Sequence, residues 1–157
     1  MTENIKIGII GGDLRQLVAA QEFAADGCEA AVYGFDEYDG SFEMATKCVN
    51  LGDAVRKSDF ILLPLPYSLD GIHLNTPLSQ AEIHLDELFS LLEPGQIILA
   101  GKAGGVKIKD IKIIDYYERE EFTILNALPT ALANLPIKNR GNGNICAMPC
   151  LYISGYP

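Results

Sequence analysis

The apolar positions at the start of the chain follow two different periods. Ile5-Lys6-Ile7-Gly8-Ile9-Ile10 is a nearly continuous apolar run, rich in β-branched residues and closed by Gly11-Gly12. That is the pattern of a strand buried in the middle of a parallel sheet. Beyond it the spacing lengthens to three or four, with Leu14, Leu17, Val18 and Phe23 on one predicted helical face. Asp13 stands where an N-cap belongs, and Gly27 where the helix should stop. Glu29 to Tyr33 reads as a second short strand ending at Gly34. Together these elements form a βαβ unit, whose right-handed crossover sets its strands side by side and parallel.

The same alternation continues. Lys47-Cys48-Val49 is a short extended piece, and Leu51 to Lys57 a brief helix. Phe60-Ile61-Leu62-Leu63 is a buried strand stopped by Pro64 and Pro66, which cannot donate to a ladder. After a long loop from Leu65 to Leu78, Ser79 is expected to cap a helix with Glu82 completing a capping box. Ile83, Leu85, Leu88, Leu91 and Leu92 would be its buried side, and Pro94-Gly95 its end. Gln96 to Ala100 is a strand closed by Gly101. Val106 to Ile111 is expected to be helical, Ile113 to Asp115 a strand, Tyr116 to Glu121 a helical turn, and Thr123 to Leu125 the last strand. The pattern predicts a doubly wound α/β domain with a mostly parallel sheet of about five strands, Rossmann-like or flavodoxin-like.

Composition narrows the partners. A chain of 157 residues is about one domain, and 48% hydrophobic residues are enough for a core. The net charge of −9 repels nucleic acid and anionic lipid. No apolar run approaches the roughly 20 residues of a membrane span. The opening Met1-Thr2-Glu3-Asn4 carries an acid and leads straight into a strand, so no signal peptide is read and a cytoplasmic location is expected. Cys28, Cys48, Cys146 and Cys150 make no Cys-x-x-Cys pair and are read as reduced thiols. His73 and His84 are not at metal spacing and no Cys/His cluster exists, so no metal is expected. Gly-x-Ser-x-Gly is absent.

Ligands of an open parallel sheet bind outside the carboxyl ends of the strands. The first such end is Gly11 to Gln16. A dinucleotide turn needs three glycines; with Gly12 as the middle one, Ile10 and Arg15 occupy the other two positions. Asp13 puts a negative charge where a pyrophosphate would sit. The favoured reading is a plain turn with a capped helix, and no cofactor-binding residue is assigned. Arg15 can fork two hydrogen bonds onto a carboxylate, or simply be solvated. Asp36 stands where an acid could meet a ribose, or is a solvated loop acid. Gly101-Lys102-Ala103-Gly104-Gly105 could hold an anion on backbone N–H groups, or be an ordinary loop.

The string Ile9-Ile10-Gly11-Gly12-Asp13-Leu14-Arg15-Gln16 resembles the opening of the dipicolinate synthase A-subunit family, in its N-terminal domain. Val32 to Asp36, Asp59 to Pro66, Leu74-Asn75-Thr76-Pro77, Tyr116 to Phe122 and Leu125 to Ala131 fit the same family. The resemblance spans about Ile5 to Ala131 and implies a Rossmann-like domain over 1–131. It implies dipicolinate synthesis in the mother cell of a sporulating bacterium, by oxidation of a hydroxy-tetrahydrodipicolinate-type substrate. The partner would be the flavoprotein-like B-subunit of dipicolinate synthase, with homo-oligomers also possible. NADP would be held by a second domain, and the first would form the other wall of the cleft. Gly12, Asp13, Arg15, Gln16, Pro66, Asn126 and Thr130 are the implied substrate-side positions, with no catalytic acid–base identified.

The tail from Leu132 to Pro157 departs from that pattern. Pro136 and Gly141-Asn142-Gly143 would break the expected crossover helix, and no second glycine fingerprint follows. A slipped reading frame near Ala131 is one explanation, and a stand-alone domain with its own ending the other. The alternatives to the synthase reading are a non-catalytic interaction module, or truncated remnant, and an independent nucleotide-binding domain.

Overall fold

The computed structural model describes residues 4–41 and 44–119. Residues Met1–Tyr116 form one compact unit. It holds a six-stranded sheet: β1 (Lys6–Ile10), β2 (Glu29–Tyr33), β3 (Thr46–Lys47), β4 (Phe60–Leu62), β5 (Ile97–Ala100) and β6 (Lys112–Asp115). Every pairing is parallel, and the order is β3-β2-β1-β4-β5-β6. This is the Rossmann order, and it decides against the flavodoxin-like alternative, whose chain turns back at a different strand. The sixth strand is β3, a two-residue edge piece where the sequence shows only a short extended run.

The helices α1 (Leu14–Ala25), α2 (Leu51–Arg56) and α3 (Leu85–Ser90) cover both faces of the sheet. Side chains alternate along β1, so Ile7 and Ile9 pack with Leu17, Ala20 and Ala24 of α1, while Ile10 packs with Ala54 and Val55 of α2. Ile61, Leu88 and Ile98 fill the α2/α3 side.

Three expectations are corrected. In α1, Leu14 and Val18 are exposed, and the sheet-facing residues are Leu17, Ala20 and Ala24, whose small side chains let the helix lie close to the strands. Helix α3 begins at Leu85, not after Ser79, and its N-cap His84 makes no side-chain capping bond. Ser79 instead donates to Asp36 and accepts from the Ala81 N–H, while Ile83 is drawn into a backbone bond from Leu74. The Val106–Ile111 segment is not helical. It makes tight turns, with Asp110 at φ 62° and a bridge between Ile108 and Ile111. Such a left-handed residue interrupts a helix. Tyr116–Glu118 is a single 3₁₀ turn. The expected strand at Thr123–Leu125 and the tail from Leu132 lie outside the described residues.

Candidate functional site

Chain order reverses between β1 and β4, so the ligand crevice of this sheet opens at their carboxyl ends. Gly11 and Gly12 make the turn out of β1, at φ 65° and 98°. Those angles favour glycine, and space requires it as well: a Cβ on Gly11 would stand 2.7 Å from the Thr76 methyl.

The turn feeds a fully capped helix. Asp13 accepts from the Arg15 N–H at 2.9 Å, and the Gln16 side chain accepts from the Asp13 N–H at 3.0 Å. This closes a reciprocal capping box with Gln in the third position. The remaining turn donors are used by the chain too. Gly11 donates to the Tyr33 carbonyl at 2.8 Å and Gly12 to the Asn75 carbonyl at 2.9 Å.

Arg15 folds back over this corner. Its Nε and Nη2 donate to the two Asp13 oxygens at 2.8–3.1 Å, and Nη2 reaches the Leu65 carbonyl at 3.1 Å. The Arg15 side chain is 43% exposed. Burial pushes the Asp13 carboxyl up, but the side-chain and backbone bonds from Arg15, with its charge, outweigh this and hold the group below its ordinary value. Arg15 therefore ties the end of β1 to the segment after β4, where the Leu65–Pro66 peptide is cis. Asn75 closes the loop from the other side, its side chain donating to the Pro66 carbonyl at 3.2 Å.

Tyr116 completes the corner from β6. Its hydroxyl donates to the Leu63 carbonyl at 3.1 Å, and burial pushes the phenol well above its usual range. Beside it, Lys102 adopts φ 60°, and the N–H groups of Lys102 and Ala103 donate to the Asp115 carboxylate at 3.1 and 2.6 Å. The loop after β5 does hold an anion on its backbone, and that anion belongs to the chain itself. Asp36 is likewise engaged. Bonds from the Ser79 hydroxyl and the Gln80 N–H keep its carboxyl below the ordinary value.

Of the sequence-read positions, Gly12, Asp13, Arg15 and Pro66 meet at one corner. Gln16 adjoins it but is 6% exposed and spends its side chain on the cap. Asn126 and Thr130 lie outside the described residues. The sequence gives no hint of Tyr116 or Asn75 as parts of the corner, because both arrive over long chain separations. Nor does it show that both histidines meet, with ring centroids 4.4 Å apart. Asp70, hydrogen-bonded to His73, is held far below the usual carboxylate range, and His73 is raised. Cys28 and Cys48 are free thiols, and burial raises the latter. Among the described residues no helix is long and apolar enough to cross a membrane.

The family model for the N-terminal domain of the dipicolinate synthase A-subunit matches residues 6–116. The dipicolinate synthase A-subunit of Bacillus subtilis (strain 168) is 26% identical over 137 residues, covering 83% of this chain and 46% of that protein. The crystal structure of the same synthase's A-subunit from Bacillus subtilis superposes with a TM-score of 0.68 at 25% identity, over 85% of this chain and 47% of that one. The A-subunit from Bacillus halodurans gives 0.64 at 23% identity, over 82% and 46%, and shares the fold. The chain spans less than half the length of these relatives. By the match over its whole described sheet, this chain belongs to the family of dipicolinate synthase A-subunit N-terminal domains.

Proposed function

We propose that this domain forms the substrate-side wall of a dipicolinate-forming synthase, with Arg15 receiving a carboxylate of a ring dicarboxylate. The observation that carries the reading is the placement of Arg15 at the β1/β4 crevice, oriented by Asp13 and the Leu65 carbonyl yet 43% exposed. A guanidinium whose plane is fixed through Nε and Nη2 presents its charge in a set direction to an incoming carboxylate. Fixing that direction before binding lowers the ordering cost of recognition. Gly12 and Pro66 would shape the floor beneath it.

NADP does not fit this corner. Gly12, Asp13, Arg15 and Gln16 each spend their N–H within the chain, and a carboxylate stands where the pyrophosphate would rest. In the proposed assembly the second domain of the family's full-length form would hold NADP and supply hydride transfer. This domain would bind and orient the substrate, in the mother cell of a sporulating bacterium and with a flavoprotein-like B-subunit for its partner.

Calorimetric titration tests the assignment. Dipicolinate is expected to bind the full chain, and Arg15→Ala to weaken it about tenfold to a hundredfold, the worth of one charge-assisted contact. Titrated NADP should give no saturable heat. Tight NADP binding to this chain, or dipicolinate binding indifferent to Arg15→Ala, would overturn the proposal.

A further inference from the structure

The chain has two histidines, eleven positions apart, and the fold sets them against each other. His73 and His84 are antiparallel bridge partners, joined on either side by backbone bonds from Leu74 to Ile83 and from Leu85 to Ile72. Their ring planes are tilted by 54°. Asp70 grips His73 from behind: its Oδ2 lies 2.6 Å from Nδ1, while Oδ1 accepts from the N–H groups of Ile72 and His73 at 2.8 Å. Ser68 also donates to Asp70, at 3.2 Å. Nδ1 is thereby committed, and any ligation by His73 runs through Nε2. An imidazole steadied by a carboxylate on its far nitrogen is the arrangement that orients a metal-ligating histidine and raises its basicity.

Charge selects the occupant. Asp70 carries a negative charge, and Glu82 stands close enough for its own charge to act on His73. An anion would meet net repulsion here, whereas a cation would not. Imidazole nitrogens favour first-row transition ions over magnesium or calcium. Next to the pair, a cavity of about 370 Å³ is lined by His73, Asp70, Leu69, Asn75, Thr76 and Pro77 among others, leaving room for water or an outside ligand.

We propose that His73 and His84 form a two-histidine site for a divalent transition ion such as Zn²⁺, with Asp70 as the positioning carboxylate and the remaining coordination positions left to water. Among the described residues no third histidine, cysteine or carboxylate completes the set. The site is therefore an open one. Two nitrogens sharing a zinc ion stand about 3.3 Å apart for tetrahedral bonds of about 2.0–2.1 Å. As antiparallel bridge partners with ring centroids 4.4 Å apart, the two imidazoles stand on that scale of separation. Neither histidine is part of the Arg15 corner, although Asn75 borders both.

Ring NMR of the full chain tests it cleanly, because the spectrum holds signals from two histidines only. Zn²⁺ is expected to shift both sets of signals, saturating at one ion per chain, while Mg²⁺ leaves them in place. His84→Ala should remove the saturable shift at His73. Asp70→Asn should weaken binding about tenfold to a hundredfold, as loss of an orienting carboxylate does. If Zn²⁺ binds without moving the ring signals, other groups are the ligands and the proposal fails. It fails equally if His73 responds unchanged in His84→Ala. The wild-type titration decides the matter even if a variant does not fold.

Discussion

Gln96→Leu is expected to cost about 3 kcal/mol, lowering the melting temperature by roughly 6–12 °C in a chain of this size. Gln96 is 7% exposed and is the first residue before β5. Its Nε2 donates to the Val55 and Ser58 carbonyls at 2.7 and 2.6 Å, and its Oε1 accepts from the Glu93 N–H at 2.8 Å. One side chain thus satisfies backbone groups from the end of α2 and from the turn after α3. Leucine fills the volume but removes all three bonds; the Val55 carbonyl keeps the Ser58 N–H, so the loss falls mainly on the Ser58 carbonyl and the Glu93 N–H, at about 1 kcal/mol or more each. Gln96→Glu should be worse at neutral pH, because a carboxylate oxygen would face two carbonyl oxygens. A glutamic acid buried there has a folded pKa above its unfolded value of about 4.3. Its added penalty is absent below the unfolded pKa and grows as pH rises past it. Thermal melts of wild type and both variants at pH 4 and pH 7 check this. Equal stability of the two variants at pH 7, or a loss under about 0.5 kcal/mol for either, would refute it.

Gln96 also shows where the sequence stops being informative. Periodicity marks it as the start of a strand, and that is correct to within a residue. What periodicity cannot carry is a polar side chain reaching another element 41 residues away. The elements with local causes were all legible. The apolar run of β1, the N-cap at Asp13, the strand at Glu29–Tyr33 and the helix at Leu51 are written in adjacent residues. One failed expectation is the helix start at Ser79. Ser-x-x-Glu is a real local signal, but Asp36 lies within reach and claims the hydroxyl, and the pairing of His73 with His84 keeps the segment extended. Tertiary contacts outweighed a local preference worth about 1 kcal/mol.

The corner at Gly11–Gln16 was half legible for the same reason. Its weak glycine pattern and its acid at the helix start argue against a pyrophosphate in the sequence alone. The stronger argument needs Asn75 and Tyr33, whose carbonyls take the Gly12 and Gly11 N–H groups, and neither is near them in the chain. Arg15 was legible as a cation at the crevice, but its clamp between Asp13 and the Leu65 carbonyl was not.

Gly8→Val is expected to be the most damaging single change in the sheet, about 4 kcal/mol or enough to prevent folding, with Gly8→Ala near 2–3 kcal/mol. The sequence alone argues the opposite. Gly8 interrupts an otherwise β-branched run, and valine has the better strand preference by up to about 1 kcal/mol. The structure explains the glycine. It sits at the middle of β1, paired with Ala31 on one side and Ile61 on the other, directly under α2. A Cβ there would collide with the Ala54 carbonyl oxygen and stand 2.8 Å from the Ser58 hydroxyl. That hydroxyl itself donates to the same Ala54 carbonyl at 2.7 Å, so it cannot swing away without losing a buried bond. The carbonyl is backbone within a helix whose Ala54 and Val55 are fully buried, so relief requires lifting α2 off the sheet. Close approach of two backbones is the ordinary reason for glycine inside a strand, and here the clash exceeds the propensity gain several-fold. Ser58→Ala in the Gly8→Ala background removes only the hydroxyl contact and should restore only part of the loss. Urea titration of the three variants reads the outcome. A Gly8→Ala protein as stable as wild type would mean that α2 does not rest on β1 as closely as described.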